Sequence, residues 1–461
     1  MNFKLLTKTK IIILGLSSVF LLTTGFGCSF MSKEVREAMK PVELNYWRVL
    51  DNETDAQDDF TEIINNYKAI HPNINIIYKK LRYKEYEEEL LNAWAEDRGP
   101  DIFSIHNTWV GKYKNKILPM PKELIIPQTI VTGTFKKEPK IIIQPKATPS
   151  LKEFKNKFVD VVYKDVIKEG QVYGLPLSID SLVLYYNKDI LNSARIPLPP
   201  TTWSEFIEMI PKITIIDKEN NIIQAGVALG TAQNITNATD ILSLLMMQNG
   251  TQMIDENNRA TFNLSSQTQK DIIPGEQALT FYTDFANPTK ETYTWNEQMP
   301  EALDLFIQGK SAFYFGYSAD LFSIQNQAPK LNFSIAPMLQ IEGNSEINYA
   351  NYWLETVSKK TEHSNEAWDF ILFATQEEQA KLYLEKTKKP TALKNLIKKQ
   401  MEDYDLSIFV NQILTAQSWY RGNVGDLIKK IFNELIEGTL RGDGEIQKLL
   451  NTAVEKINQT F

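Results

Sequence analysis

Apolar positions along the chain switch between a strand-like and a helix-like period. Leu44–Leu50 mixes apolar and polar residues as a strand does, and Asp55–Ile70 then places Phe60, Ile63, Ile64 and Tyr67 at helical spacing. His71-Pro72-Asn73 stops that helix, and Ile74–Tyr78 predicts a second strand. Tyr83–Arg98 predicts a helix with Tyr83, Tyr86, Leu90, Leu91 and Trp94 on one face, closed by Gly99. Asp101–Ile105 predicts a third strand. Strands alternating with helices of this length imply a parallel sheet covered by helices, an α/β fold.

Leu118–Ser150 departs from the pattern. It carries six prolines, a lysine cluster and the apolar run Ile141–Ile143, and reads as an insertion or long surface loop. Val172–Trp203 follows. Gly174-Leu175-Pro176 is an extended connector, Ser181–Tyr186 a buried strand, and Pro197, Pro199 and Pro200 break the chain before the capping box Thr202-Trp203-Ser204-Glu205. A connector into a new strand–helix unit, far from either end, reads as a crossing between domains. Further on, Ala225–Leu229 and Ser311–Tyr317 predict strands. Asp240–Gln248, Gln298–Gln308, Glu366–Thr375, Gly425–Gly438 and Glu445–Asn458 predict helices, with a second capping box at Thr375-Gln376-Glu377-Glu378.

At 461 residues the chain exceeds one core, so two lobes are expected. Hydrophobic residues at 43% and aromatics at 11% suit packed domains. A net charge of −7 argues against nucleic acid or an anionic membrane surface as partner. The single cysteine, Cys28, excludes an internal disulfide and a thiolate metal cluster, and His71, His106 and His363 lack metal-site spacing. Gly309-Lys310-Ser311 is not a phosphate loop, because Asp304 stands where the first glycine belongs and a helix precedes it. No cofactor, metal or catalytic residue is assigned.

The N-terminus has the layout of an export signal: Lys4, Lys8 and Lys10, the apolar run Ile11–Leu22, small residues, then Cys28. Two readings fit. In one, residues 1–28 are a lipoprotein-type signal and Cys28 carries lipid on the outer face of the membrane. In the other, Ile11–Phe30 is an uncleaved anchor. Either places the rest outside the cytoplasm, with residues 29–41 as a tether.

Several motifs occur in order: Tyr173-Gly174-Leu175-Pro176, Asp180-Ser181-Leu182, Tyr185-Tyr186-Asn187-Lys188-Asp189, Pro199-Pro200, Thr202–Phe206, Phe306–Phe313 and Leu331–Pro337. Together they resemble the extracellular solute-binding proteins of ABC transporters, the maltose-binding-protein-like family 1. The resemblance runs from Leu44 to the end, the insertion excepted. It implies a two-lobe, periplasmic-binding-protein-like fold with crossings near Leu177, Ile341–Asn348 and Lys389. Lobe 1 would take 42–177 and 345–388, and lobe 2 would take 178–344 and 389–461. It also implies a monomeric receptor that closes on a small solute, an oligosaccharide or sugar, and delivers it to an ABC permease.

Ligands of open α/β sheets bind beyond the carboxyl ends of strands. That rule and the matching segments select Trp47, Asp51, Trp109, Asp180, Tyr317, Trp353 and Trp419 as ligand-binding candidates. Flat aromatic faces beside carboxylates suit a sugar, whose ring faces stack while its hydroxyls take hydrogen bonds. Trp94 and Trp368, at helical spacing, read as core. Two other functions compete: an exported carbohydrate-active enzyme using paired carboxylates, and a receptor that presents its ligand to a partner other than a permease.

Overall fold

The computed structural model describes residues 33–50, 59–132, 138–266 and 269–461. The chain divides into two compact units, one of residues 41–125 with 145–461, the other of 126–144 with the chain up to Lys40. The smaller unit holds the short helix Lys33–Ala38 and most of a two-stranded ladder, Glu123–Thr132 against Glu138–Ala147. The segment expected to be a loop is therefore partly strand. Its prolines do not prevent this, because each strand of a two-stranded ladder keeps an open edge where a missing N–H costs no bond.

Within the larger unit, two hydrophobic cores form. The first is built on Val42–Leu50 (β1), Ile74–Arg82 (β2) and Ile102–His106 (β3), with β1 parallel to both neighbours. Helices Thr61–Ile70 and Tyr83–Ala95 cover it with Ile63, Tyr67, Tyr86, Leu90 and Trp94, whereas Tyr83 and Leu91, expected on the same face, are exposed. Trp94 and Trp368 are both core residues.

The second core is built on Val183–Asn187 (β4), Ile222–Val227 (β5), Ser311–Gly316 (β6) and Phe333–Ala336 (β7). Here β5 and β6 are parallel, and β4 is antiparallel to β6 and β7. Every residue of β6 is buried, as its unbroken apolar run requires. Helix Trp203–Ile213 starts at the expected capping box: the Thr202 hydroxyl accepts from the Glu205 N–H at 3.2 Å, and the Glu205 carboxylate accepts from the Thr202 N–H in return. The second expected box does not form. Helix Ser364–Ala374 ends at Thr375, whose buried hydroxyl donates to the Leu372 carbonyl at 3.2 Å, so it is spent on the preceding helix.

Three short strands join the cores. Asp180–Ser181 lies antiparallel to Asn348–Asn351 (β8), which lies parallel to Ala416–Gln417. The third of these falls later than the Lys389 expected from sequence. Lys389-Pro390 runs beside the first crossing, with the Ile179 N–H donating to the Pro390 carbonyl at 3.0 Å. Ala392, Leu393, Leu396, Ile397, Leu406 and Val410 then pack in the first core, and from Trp419 onward the buried apolar residues belong to the second.

From β8 the chain returns to the first sheet as Trp353–Val357 (β9), antiparallel to β3, with Glu355 opposite Ser104. Glu355 accepts from Arg48 Nε at 2.9 Å and from the Ser104 hydroxyl at 2.7 Å. The Arg48 guanidinium also donates to the Tyr383 hydroxyl at 2.9 Å and lies over the rings of Phe60 (4.6 Å) and Tyr383 (5.0 Å). This ion pair is buried, so removing one member strands the other charge in a poorly solvated place. Glu355→Ala is expected to lower stability by about 3–5 kcal/mol, read from the urea unfolding midpoint. A loss below about 1 kcal/mol, the range of a surface pair, would show that water reaches Arg48.

Candidate functional site

The side chains that follow the strand ends and the crossings meet in one cleft between the two cores. Two cavities, of about 300 Å³ and about 310 Å³, share Thr236, Asn237, Asn351 and Trp353 in their walls. They are therefore adjoining parts of one space.

The wall from the first core is aromatic. Pairing of Trp353 with His106 in the β3–β9 register sets both at the carboxyl end of β3. Their rings stand 5.4 Å apart, and Trp109 meets Trp353 edge-on at 5.5 Å. Tyr83, from the start of its helix, closes on Trp353 at 6.0 Å. His106 is held on both sides, Nδ1 by the Thr108 hydroxyl at 2.7 Å and Nε2 by the Asn351 amide oxygen at 2.8 Å. The second bond ties the aromatic wall to β8.

Buried Asp165 positions the third part of the wall. It accepts from the Tyr352 hydroxyl at 2.7 Å, the Asn107 amide at 3.1 Å and the Ser418 hydroxyl at 2.6 Å, and it pairs with Arg421 at 2.5 Å. Ser418 and Arg421 flank Trp419 and Tyr420, so this one carboxylate fixes the turn that brings both rings to the second cavity.

The wall from the second core supplies carboxyls and phenols. Tyr317 donates to Asp240 at 2.7 Å. Burial pushes the Asp240 carboxyl up from its ordinary range, against the hydrogen bonds from Tyr317 and Tyr349 and the charge of His106. Asp320 accepts from the Tyr317 N–H at 2.9 Å and the Tyr314 hydroxyl at 3.1 Å, and burial raises it to about 6. Asp180, on the first crossing, accepts from the Ser318 hydroxyl at 2.6 Å, the Ser318 N–H at 2.9 Å and the Ser181 N–H at 2.9 Å. Burial outweighs these bonds and raises it to about 7.

Trp109, Asp180, Tyr317, Trp353 and Trp419 thus line the cleft. Trp47 lines neither cavity. It lies one residue out of phase with buried Leu44 and Tyr46 on β1, so it faces away from them, under the Lys79 ammonium at 4.3 Å. Asp51 and Cys28 lie outside the described residues. Sequence reasoning missed Arg48, Tyr83, Asn237, Asp240, Asp320 and Asn351. Only Asn351 had a usable signal, two residues before Trp353 at a crossing. Among the described residues no cluster of His, Cys, Asp and Glu fits a metal ion, and no helix is long and apolar enough to cross a membrane.

A family model described as bacterial extracellular solute-binding protein matches residues 51–381. A putative binding protein of Brucella abortus is 24% identical over 229 residues, 49% of this chain and 52% of the relative. The arabinooligosaccharide-binding protein of Halalkalibacterium halodurans is 24% identical over 234 residues, 50% of this chain and 43% of the relative. The maltodextrin-binding protein MdxE of Bacillus subtilis is 25% identical over 244 residues, 50% of this chain and 52% of the relative. The chain thus spans about half the length of the curated relatives it matches. Among solved structures, a cyclo/maltodextrin-binding protein complexed with maltotetraose aligns over 91% of this chain and 97% of its own, at 17% identity and a TM-score of 0.69. A tagatose-bound ABC transporter solute-binding protein of Thermotoga lettingae aligns over 91% and 99%, at 19% identity and a TM-score of 0.67. These likenesses show the two-lobe fold.

Asp180 makes the cleft sensitive to pH. Between the ordinary carboxyl range and about 7, the folded chain holds a proton that the unfolded chain has released. Stability from this group is therefore present at low pH and lost as pH rises toward and through 7. Asp180→Asn, which cannot ionise, is expected to shrink the fall in melting temperature between pH 5 and pH 8. Parallel pH profiles for variant and wild type would refute the assignment.

Proposed function

Because the chain belongs to the bacterial extracellular solute-binding protein family, we propose that it is a receptor that captures a saccharide between its lobes and delivers it to an ABC permease. The observation that carries the ligand class is the cleft itself. Trp353, Trp109 and Trp419 line it with aromatic rings, while Asn351, Asn237, Asp180 and Asp240 bring hydrogen-bonding groups to the same space. Apolar ring faces and a ring of hydroxyls are the two things a sugar presents. The oligosaccharide-binding names of two relatives agree with this reading.

The protein works as a monomer held on the outer face of the cytoplasmic membrane, through lipid on Cys28 or an uncleaved anchor. The lobes are residues 42–177 with 345–416 and residues 178–344 with 417–461, and the cleft performs no chemistry on its ligand. Asp51, which follows β1, is a further contact candidate.

A thermal-shift screen against oligosaccharides, polyols, amino acids, peptides and polyamines tests the reading. A ligand that binds only the folded state adds about 2.7 kcal/mol of stability at a hundred times its Kd. A shift confined to saccharides is expected, and a shift confined to amino acids, peptides or polyamines would overturn the ligand class. Trp353 stands at the junction of the two cavities. Trp353→Ala is expected to weaken the bound saccharide by about 2 kcal/mol, roughly thirty-fold in Kd, by calorimetry. An unchanged Kd would remove Trp353 from the site.

A further inference from the structure

The two cavities of the cleft differ in chemistry. The one that holds Trp109 and Trp419 is lined by six aromatic side chains, Tyr83, Trp109, Tyr349, Trp353, Trp419 and Tyr420, beside Asp240 and Lys429. Around the other, four carboxyl groups converge, Asp180, Glu301, Asp304 and Asp320, against two basic groups, Arg48 and Lys389. Arg48 is already matched by Glu355 at 2.9 Å. Acidic groups therefore outnumber basic ones in this cavity.

Two of the carboxyls, Asp320 and Glu301, take their hydrogen bonds among the described residues on one oxygen, whereas Asp180 takes them on both. An ionised carboxyl accepts about four hydrogen bonds. Both bonds to Asp320, from the Tyr317 N–H and the Tyr314 hydroxyl, fall on Oδ2. Both bonds to Glu301, from the Thr236 N–H at 3.0 Å and its hydroxyl at 2.7 Å, fall on Oε1. Asp304 is exposed at the cavity wall. In the adjoining cavity, Thr239 is 8% exposed and its buried hydroxyl has no hydrogen-bond partner among the described residues. A buried hydroxyl without a partner is costly until an arriving group meets it, which points to a polar ligand there.

We propose that the cleft selects an oligosaccharide that carries a protonated amine, with a neutral sugar ring on the aromatic walls and an amino-sugar ring among the four carboxyls. This rests on the reading of the chain as a saccharide receptor. An ammonium group has three donors and no acceptor, which suits the carboxylates of Glu301, Asp304 and Asp320 better than Asp180, whose carboxyl burial raises to about 7. Hydrogen bonds between ions are about twice as strong as neutral ones. The four residues shared by the cavities let a single ligand occupy both.

The test is calorimetry on the full chain with α- and β-linked glucose disaccharides, their 2-amino-2-deoxy counterparts and the N-acetylated forms. N-acetylation keeps the nitrogen and removes the charge. The amino form is expected to bind at least about ten-fold tighter than the neutral and N-acetylated forms of the same linkage. Asp304→Asn, at an exposed position where folding is not at risk, is expected to narrow that gap to about three-fold. A neutral disaccharide that binds as tightly as its amino counterpart would overturn the amine selection and leave the saccharide receptor standing. Binding of spermidine with no saccharide bound, or no binding by any member of the panel to wild-type protein that unfolds cooperatively, would overturn the receptor reading and the proposal with it.

Discussion

Three backbone segments that hydrogen-bond to one another govern this molecule. Asp180–Ser181, β8 and Ala416–Gln417 lie side by side as one small sheet, so the chain's passages between its cores are coupled rather than independent. Three paired strands restrict the lobes to bending about a common line, because shearing would break the ladders. The sheet also decides what lies in the cleft. Residues next to each strand project from the hinge: Asp180 in the first, Asn351 and Trp353 at the end of the second, Trp419 after the third. A binding site assembled this way draws from distant parts of the sequence without long loops.

Two buried carboxylates hold the first lobe to this arrangement in different ways. Glu355 joins β9 to β1 and β3 through Arg48 and Ser104, inside the sheet. Asp165 reaches beyond the sheet and gathers Asn107, Tyr352, Ser418 and Arg421. Each buried charge is costly unless it is paired and hydrogen-bonded, and each here is both. What they supply is position. Without Asp165, the turn that carries Trp419 and Tyr420 would lack its hydrogen-bonded centre.

Much of this was legible in the sequence, and the limits have physical causes. The alternation of strands and helices gave the first sheet, and the Thr202–Glu205 pair gave a helix start, because both are local signals. The rule that ligands sit beyond strand ends found Trp109 and Trp353 for the same reason. Trp47 misled because a strand turns alternate residues to opposite faces, and the face depends on what packs below Leu44 and Tyr46. The third crossing was misplaced because Lys389-Pro390 is an extended connector like Leu175-Pro176 but runs alongside the first crossing instead of across the hinge. Asp240 and Asp320 were invisible because a helix's first turn favours acids on its own account, through the helix dipole. Only tertiary packing turns those two carboxyls into parts of one cleft.

The cleft groups are also bound before any ligand arrives. His106 is clamped by Thr108 and Asn351, Asp240 by Tyr317, Asp320 by Tyr314 and the Tyr317 backbone. Each clamp lies within one lobe or between a lobe and the hinge. Opening the cleft therefore leaves these groups satisfied, and closing it does not require them to be ordered. A ligand then spends little of its interaction energy on fixing side chains, which is a principal cost of association. That energy is left for the one equilibrium that distinguishes bound from free, the balance between open and closed lobes, which a ligand shifts only by binding the closed state better. A hinge of three coupled strands carrying pre-set walls therefore leaves the movement of the lobes as the main thing a bound ligand has to fix.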